Sequence, residues 1–163
     1  MPDEPTTSVS PIPGHLRTIT PRLIVHDGAA AIDFYREAFG AEEIGERFTD
    51  PAGHIIHAEV RIGDSVVMIS DDSDDGAPTR SPHSVGGVAT AIMATYWEDV
   101  DAVWKRALAA GAEVLYPLDD QFYGDRSGRL RDPFGQQWML SRRIEELSQE
   151  EVERRAASFF AQG

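Results

Sequence analysis

Two residues of one short segment have the types and the spacing that proton transfer requires. His57 and Glu59 stand two positions apart in His54–Ile62, a segment with the composition of a strand. Residues two apart on a strand point to the same face, roughly 7 Å from each other along the backbone. An imidazole and a carboxylate on one face can hydrogen-bond a ligand or move a proton. His57 and Glu59 are therefore the candidate catalytic residues.

Two other interpretations of this pair remain open. One is a structural row of polar side chains, in which Glu59 pairs with an arginine of a neighbouring strand. The other is a metal site, which His54 cannot join because residues three apart on a strand face opposite sides. The remaining histidines stand in a leader, a turn and a linker, where we expect exposure to solvent: His15, His26 and His83.

A pattern of strand, turn and helix occurs twice in the chain. Leu23–Glu42 and Ala94–Glu113 share it, and both copies end in Gly-Ala-Glu. Each copy continues into three further short strands, which predicts two modules of the order strand, helix, strand, strand, strand. A repeated unit indicates a pseudo-symmetric fold, and a cleft between the halves is a natural place for a small molecule.

Composition sets the expected boundaries of the domain. Residues 1–16 contain four prolines and are predicted to be a disordered leader. A single domain follows over residues 17–145, with module 1 over 17–70, a polar linker over 71–86 and module 2 over 87–145. Residues 146–163 are predicted to form an amphipathic helix that opens with the capping box Ser148-Gln-Glu-Glu151. We expect its Phe159 and Phe160 to dock on the protein's own body or on a second subunit.

Charge and residue usage exclude several classes of function. The chain has 28 acidic and 15 basic residues, a net charge of −13 that repels nucleic acid. It has no cysteine, which excludes thiol chemistry and the common structural zinc sites. No apolar run approaches the roughly 20 residues that span a bilayer, and the first residues lack the features of a signal peptide. We expect a cytoplasmic protein with neither a nucleic-acid nor a membrane partner.

Two loops each have two interpretations. The acidic residues Asp71, Asp72, Asp74 and Asp75 could suggest calcium, but they lack the ligand spacing and closing glutamate of an EF-hand, so a solvated loop is favoured. The glycine-flanked segment Gly124–Gly128 either covers a cleft, with Tyr123 and Arg129 reaching a ligand, or is an ordinary hairpin turn. It is not a phosphate loop, because no Gly-Lys-Ser/Thr follows.

Several of these segments together resemble a known family. They are Thr20–Val25, Ala31–Glu43, His57–Ser65, Tyr123–Gly128 and Asp132–Trp138. In this order they resemble the PhnB-like branch of the vicinal oxygen chelate superfamily, which includes glyoxalase I, bleomycin-resistance proteins, fosfomycin-resistance proteins and extradiol dioxygenases. The resemblance implies an α+β fold of two tandem βαβββ modules, a curved eight-stranded mixed sheet around a cleft, and usually a dimer.

The resemblance also implies where a metal would bind. Metal-dependent members place one ligand in the first and last strand of each module, and the shared motifs map these positions to Thr20, Met68, Ile92 and Met139. Zinc, nickel and iron need imidazole or carboxylate ligands. None of the four residues supplies one, and their neighbours are equally poor ligands. We therefore expect no metal site and no cofactor.

In that architecture the strand faces that point away from the helices line the cleft. Strand alternation assigns Ile56, Ala58, Val60 and Ile62 to the helix side, together with Trp138. The opposite faces, with the loop before Gly124, carry the candidate ligand-binding residues Thr20, Arg22, His57, Glu59, Met68, Ile92, Tyr123, Gln137 and Met139. The same faces carry Ser70, Thr90, Ala94, Tyr96 and Ser141. This mixture of apolar and polar side chains is typical of a small-molecule pocket.

Three functions fit these observations. The favoured one is a homodimeric protein that binds a small molecule without a metal, similar to the bleomycin-resistance proteins. The alternative is a metal-dependent glyoxalase-like lyase or isomerase, or a dioxygenase, with an unorthodox site around His57 and Glu59. The third is an interaction role for the C-terminal helix. The sequence leaves catalysis undecided and favours binding over it.

Overall fold

The structure, a computed structural model, describes residues 9–73, 78–87, 89 and 91–163. Within these residues a 3-10 turn, His83–Val85, accompanies eight strands and three helices. Their bounds are β1 Arg22–Val25, α1 Gly28–Phe39, β2 Glu42–Thr49, β3 Ile55–Ile62, β4 Ser65–Asp71, β5 Ile92–Tyr96, α2 Val100–Ala109, β6 Glu113–Asp120, β7 Asp125–Arg131, β8 Gln137–Arg143 and α3 Gln149–Phe160.

The strands form two mixed sheets with the same topology. Sheet 1 has the order β1-β4-β3-β2, and sheet 2 has the order β5-β8-β7-β6. In each sheet the first and fourth strands are parallel and the other pairs are antiparallel. The predicted α+β fold of two tandem βαβββ modules with a C-terminal helix is confirmed. The eight strands lie in two sheets of four, one sheet to each module.

The two module helices start in the same way, so the repeat extends to their caps. The carboxylate of Asp27 accepts a hydrogen bond from the Ala30 amide at 3.0 Å, and Asp99 accepts one from Ala102 at 3.0 Å. Such a cap stabilises a helix by about 1 kcal/mol relative to alanine. Helix α1 ends at Gly40, whose φ of 66° is the left-handed conformation that glycine adopts without strain.

Aromatic side chains join the two modules into one core. Helix α1 packs on α2, and its Tyr35 and Phe39 lie against Trp138 of β8, with ring centroids 5.3 Å and 4.6 Å apart. Phe39 also stacks on Trp97, at 5.9 Å. Tyr35 and Phe39 are buried, and Trp138 is only 2% exposed, as expected from strand alternation. Neither module buries these rings without the other, so the modules share one hydrophobic core.

Asp132 is a buried carboxylate that ties the modules together. It accepts hydrogen bonds from the Tyr35 hydroxyl at 2.6 Å and from Trp138 Nε1 at 2.9 Å. The backbone amides of Phe134 and Gln136 donate to its second oxygen. Burial raises the pKa of Asp132 above its ordinary value, although these hydrogen bonds act in the opposite direction. Because all its lone-pair sites face donors, Asp132 fixes the Asp-Pro-Phe-Gly turn beneath α1.

Trp104 of α2 lies directly on Gly128 of β7. A Cβ atom at position 128 would be 2.7 Å from the Trp104 ring and 2.8 Å from the Leu118 amide nitrogen. No larger residue fits between the helix and the sheet without displacing one of them. Gly128 therefore serves the packing of α2, and it lies inside β7 instead of in the preceding loop.

Strand β3 departs from strict alternation at its first residues. The partners of His57 and Ile55 on β2 are Phe48 and Thr49, so Ile56 is the extra residue of a bulge. Ile55 is consequently buried, at 3% exposed, and Ile56 is 57% exposed. The prediction that Ile56 packs under a helix is wrong, because the bulge reverses the side to which the residues before it point.

Two carboxylates of the predicted acidic loop are structural. Asp71 accepts hydrogen bonds from the backbone amides of Gly28 and Ile55. Asp72 accepts one from the Ser81 hydroxyl and one from the Ser84 hydroxyl, each at 2.6 Å. The expectation of a fully solvated loop is wrong for this pair, since their oxygens satisfy local donors. Asp74, Asp75 and Thr90 lie outside the described residues.

Helix α3 begins after Ser148, as the capping box predicts. The Ser148 side chain accepts a hydrogen bond from the Glu151 amide at 3.2 Å. The helix docks on its own chain, because Phe159 lies 5.0 Å from Phe122 between ring centroids and Arg155 pairs with Glu145 at 2.8 Å. None of its residues is buried.

Candidate functional site

We use the term open face for the side of each sheet that points away from α1 and α2. Burial alternates along β4 and β8: Val67 and Leu140 are buried under the helices, whereas Met68 and Met139 are half-buried on the open faces. The two methionines hold the same position in the two modules, because each lies on the strand that pairs with the module's first strand.

A hydrogen-bonded network of charged side chains lies on the open face of sheet 1. Arg22 Nη2 donates to His57 Nδ1 at 2.9 Å, and His57 Nε2 lies 3.2 Å from Glu59 Oε1. His15, from the segment before β1, lies 2.7 Å from the other Glu59 oxygen. Arg22 Nη2 also contacts the Met68 sulfur at 3.8 Å. Four of the predicted site residues, Arg22, His57, Glu59 and Met68, are therefore in contact.

The Arg22 guanidinium determines which nitrogen of His57 carries the ring proton. A guanidinium is always a donor, so His57 Nδ1 must be the acceptor and the ring proton belongs on Nε2, which donates to Glu59. Burial raises the pKa of Glu59, but the hydrogen bonds from His15 and His57 outweigh it, and the net pKa lies below the ordinary value. The carboxylate is thus held ionised, with both oxygens engaged.

The open face of sheet 2 carries a different charge. Arg129 of β7 lies opposite Met139, and its guanidinium carbon is 5.1 Å from the centre of the Tyr116 ring. Glu59 has the same place in sheet 1, since it lies opposite Met68. Gln137 and Met139 lie on this second face, with Ile92 and Ala94 as their partners on β5. Met139 therefore neighbours Arg129, and the Arg22 network neighbours Met68.

The remaining predicted residues lie in two other places. Thr20 and Ile92 line a groove of about 750 Å³ between the β3–β4 turn, the segment before β1 and β5. Tyr123 follows Phe122, with its ring 5.3 Å away in an edge-on arrangement, in the aromatic cluster that receives α3. The loop is a hairpin turn, because the Gly124 amide donates to the Gln121 carbonyl at 3.2 Å.

Two contacts of the histidines were not predicted from the sequence. His15 was expected to be exposed in a leader, and although it is exposed, it also pairs with Glu59 across 44 residues of chain. His26 and His83 are also exposed but stack on each other, with ring centroids 4.3 Å apart. No local pattern predicts either contact, because both depend on how the segments before β1 and after β4 fold back.

At three of the four positions implied for a metal, the side chain is engaged elsewhere or lacks a donor atom. The Met68 sulfur contacts the Arg22 guanidinium, a cation that disfavours a second cation beside it. The Thr20 hydroxyl donates to the Arg17 carbonyl at 3.4 Å, and Ile92 has no donor atom in its side chain. Over residues 9–73, 78–87, 89 and 91–163, no three His, Cys, Asp or Glu side chains form a group that could hold a metal.

Comparison with known proteins agrees with this architecture. Residues 13–140 match the family model described as the Glyoxalase/Bleomycin resistance protein/Dioxygenase superfamily. The chain belongs to this superfamily. Members typically bind small molecules and are often dimeric. The resemblance seen in the sequence is thus confirmed.

Relatives of this superfamily member are found by sequence and by structure. An uncharacterized protein of Mycobacterium bovis is 44% identical over 137 residues, which cover 83% of this chain and 89% of that protein. The crystal structure of TioX from Micromonospora has a TM-score of 0.59 and 27% identity, covering 77% of this chain and 98% of TioX. A PhnB protein from Bacillus cereus shares the fold, with a TM-score of 0.56 and 24% identity over 77% of this chain and 99% of its own.

One further property concerns membranes. None of the helices in the described part of the chain is both long and apolar enough to cross a bilayer.

Proposed function

We propose that this member of the superfamily binds a small molecule on the open faces of its two sheets, without a metal ion. The observation that carries the proposal is the pairing of Met68 with Arg22, which puts a sulfur and a cation where metal-dependent relatives are expected to have a ligand. Apolar contact from methionine and directed polar groups nearby are the usual constituents of a small-molecule site.

The hydrogen bonds on sheet 1 favour binding over catalysis. A general base must offer a free lone pair to the proton that it removes. The Nδ1 lone pair of His57 accepts from Arg22, and both oxygens of Glu59 are engaged by histidines. A saturated network of this kind fixes side chains in place and presents a defined polar surface to a ligand.

A lyase or isomerase reaction is the second candidate function. The contact of 3.2 Å between His57 and Glu59 is an imidazole–carboxylate pair, the arrangement that orients a catalytic histidine. For this pair to act, the substrate must draw Arg22 away and free His57 Nδ1. A substrate with an anionic or carbonyl oxygen beside Arg22 meets that requirement.

The proposal includes a homodimer in the cytoplasm. Large apolar side chains of the open faces are exposed in the single chain, among them Phe48 at 69%, Tyr96 at 63% and Tyr116 at 62%. A second copy that covers them would close the faces into a cleft and remove apolar area from water, at about 25 cal/mol for each Å². The chain has no cysteine, so its folding requires no oxidising compartment for disulfide formation.

A compound screen by thermal shift, with EDTA and then with added zinc, nickel, manganese or iron, tests the proposal. We expect some compounds to raise the melting temperature equally in both conditions, and elemental analysis to find no stoichiometric metal. About one metal ion per chain, with compounds that stabilise the protein only in its presence, would favour the metal-dependent enzyme instead.

A further inference from the structure

Arg129 is a half-buried cation without a counter-charge. Among the described residues its side chain makes no ion pair and no hydrogen bond, and its Nε is buried without an acceptor. The other arginines of the described chain that are not exposed each pair with a carboxylate: Arg47 with Glu43, Arg126 with Asp101, Arg131 with Glu113 and Arg155 with Glu145. Arg129 thus departs from the pattern that the rest of the molecule follows.

The missing acceptor is not explained by a shortage of acids. The chain has 28 acidic residues for 15 basic ones, yet none of the described acids lies within ion-pair distance of Arg129. A buried N–H without an acceptor costs about 1–3 kcal/mol, so the position is unfavourable in the ligand-free chain. A turn of the side chain that brings Nε to an acceptor from outside the chain removes this cost.

The surroundings of Arg129 indicate the shape of that acceptor. The guanidinium lies over the Tyr116 ring, 5.1 Å from its centre, and Met139 is its partner on β8. A stacked guanidinium keeps its planar fork of donors, which matches the two oxygens of a carboxylate or phosphonate. The ring and the methionine offer apolar contact area beside that fork.

We propose, building on the binding function above, that Arg129 anchors a small organic anion on the open face of sheet 2. The oxyanion, a carboxylate or a phosphonate, accepts hydrogen bonds from a terminal nitrogen of Arg129 and from Nε, which becomes accessible when the side chain turns. The apolar or aromatic body of the ligand lies against Tyr116 and Met139. Arg22 does not have this role, because its guanidinium is committed to His57 and Met68.

Sodium benzoate and benzamide are the first probes, since they share a shape and differ in charge. Titrations followed by calorimetry and by the NMR signal of the Arg129 Nε–H group would use wild-type protein, Arg129→Gln, Arg129→Lys and, as a control, Arg106→Gln at an exposed arginine of α2. We expect benzoate to bind at least about tenfold more tightly than benzamide, which corresponds to about 1.4 kcal/mol. Arg129→Gln should abolish this preference, Arg129→Lys should keep part of it, and Arg106→Gln should keep all of it.

Phenylphosphonate and inorganic phosphate distinguish the two parts of the ligand. Phenylphosphonate should shift the Arg129 Nε–H signal as benzoate does, and inorganic phosphate should bind at least about tenfold more weakly because it lacks the apolar body. Equal binding of phosphate would overturn the assignment of Tyr116 and Met139 as ligand contacts.

Two results would overturn the anion anchor itself. Equal affinity for benzoate and benzamide would show that Arg129 does not recognise the negative charge of the ligand. The wider proposal of small-molecule binding would remain intact. The second result is that the wild type does not bind benzoate and that Arg129→Gln converts a dimer into a monomer. Arg129 would then form an ion pair with an acidic residue of a second copy.

Discussion

Glu59 and Arg129 occupy equivalent positions in the two modules, each opposite the methionine of its module's fourth strand. The two modules share residues that build them, such as the helix caps Asp27 and Asp99. At this position on the open face, however, module 1 carries a negative charge and module 2 a positive one. One sheet therefore presents an acid held by histidines, and the other presents a free guanidinium. A ligand that contacts both faces meets two different chemical environments from one duplicated scaffold.

The hydrogen bond between Tyr35 and Asp132 should stabilise the joined modules. Tyr35→Phe removes a buried bond of 2.6 Å to a carboxylate and should lower the free energy of unfolding by about 1.5–3 kcal/mol, measured in urea. Tyr96→Phe is the matched control, because its bond to Asp125 is on a residue 63% exposed, and it should cost less than about 0.5 kcal/mol. Equal losses in the two variants would contradict the bridging role of Asp132.

Glu59 should make stability depend on pH in a defined direction. Its pKa is lowered in the folded protein, so its contribution is present above the unfolded value of about 4.3 and is lost as pH falls through the folded value. Glu59→Gln should cost about 1 kcal/mol near pH 7, and the gap from wild type should shrink below about pH 4.

Thermal unfolding of wild type and Glu59→Gln, near pH 7 and below about pH 4, measures the difference in their stability. Glu146→Gln, at a side chain that is 88% exposed, is the control, and its stability should equal that of wild type at both pH values. A gap between wild type and Glu59→Gln that widens in acid would mean that Glu59 is not held ionised by His15 and His57.

Two adjacent residues of β8 should respond oppositely to the same substitution. Trp138→Glu puts a charge where the side chain is 2% exposed and leaves Asp132 without one donor, so it should unfold the protein. Met139→Glu should leave the fold largely intact, because the new carboxylate lies on the open face beside Arg129. Circular dichroism during heating compares them, and greater damage from Met139→Glu would refute the assignment of faces.

A homodimer is expected in solution, from the exposed apolar side chains of the open faces and of α3. Light scattering should give about twice the chain mass of 18.0 kDa at micromolar concentration. Phe48→Glu, on the open face of sheet 1, should weaken the dimer, and Phe160→Glu serves as the comparison on α3. A wild-type mass equal to one chain would remove the dimer from the proposal.

The parts of the molecule that local pattern determines were predictable from the sequence. Periodicity and caps gave both module helices and α3, and strand alternation correctly put Trp138 under the helices and Met139 on the other side. The bulge at Ile56 was not predictable, because it depends on a register shift in the pairing of β3 with β2. Nor was the contact between His15 and Glu59, which joins segments far apart in the chain. The engagement of Arg22 by His57 and Met68 was also not predictable, nor was the lack of an acceptor at Arg129, because both depend on contacts between strands.

Binding of a small molecule to the open faces without a metal is the central claim, and a calorimetric titration tests it most directly. The strongest hit of the compound screen would be titrated into EDTA-dialysed wild-type protein and into Met139→Glu. We predict that the wild type binds with an affinity that zinc does not change, and that Met139→Glu binds at least about tenfold more weakly. Binding that appears only after a divalent metal is restored, or that Met139→Glu leaves undiminished, would contradict the account.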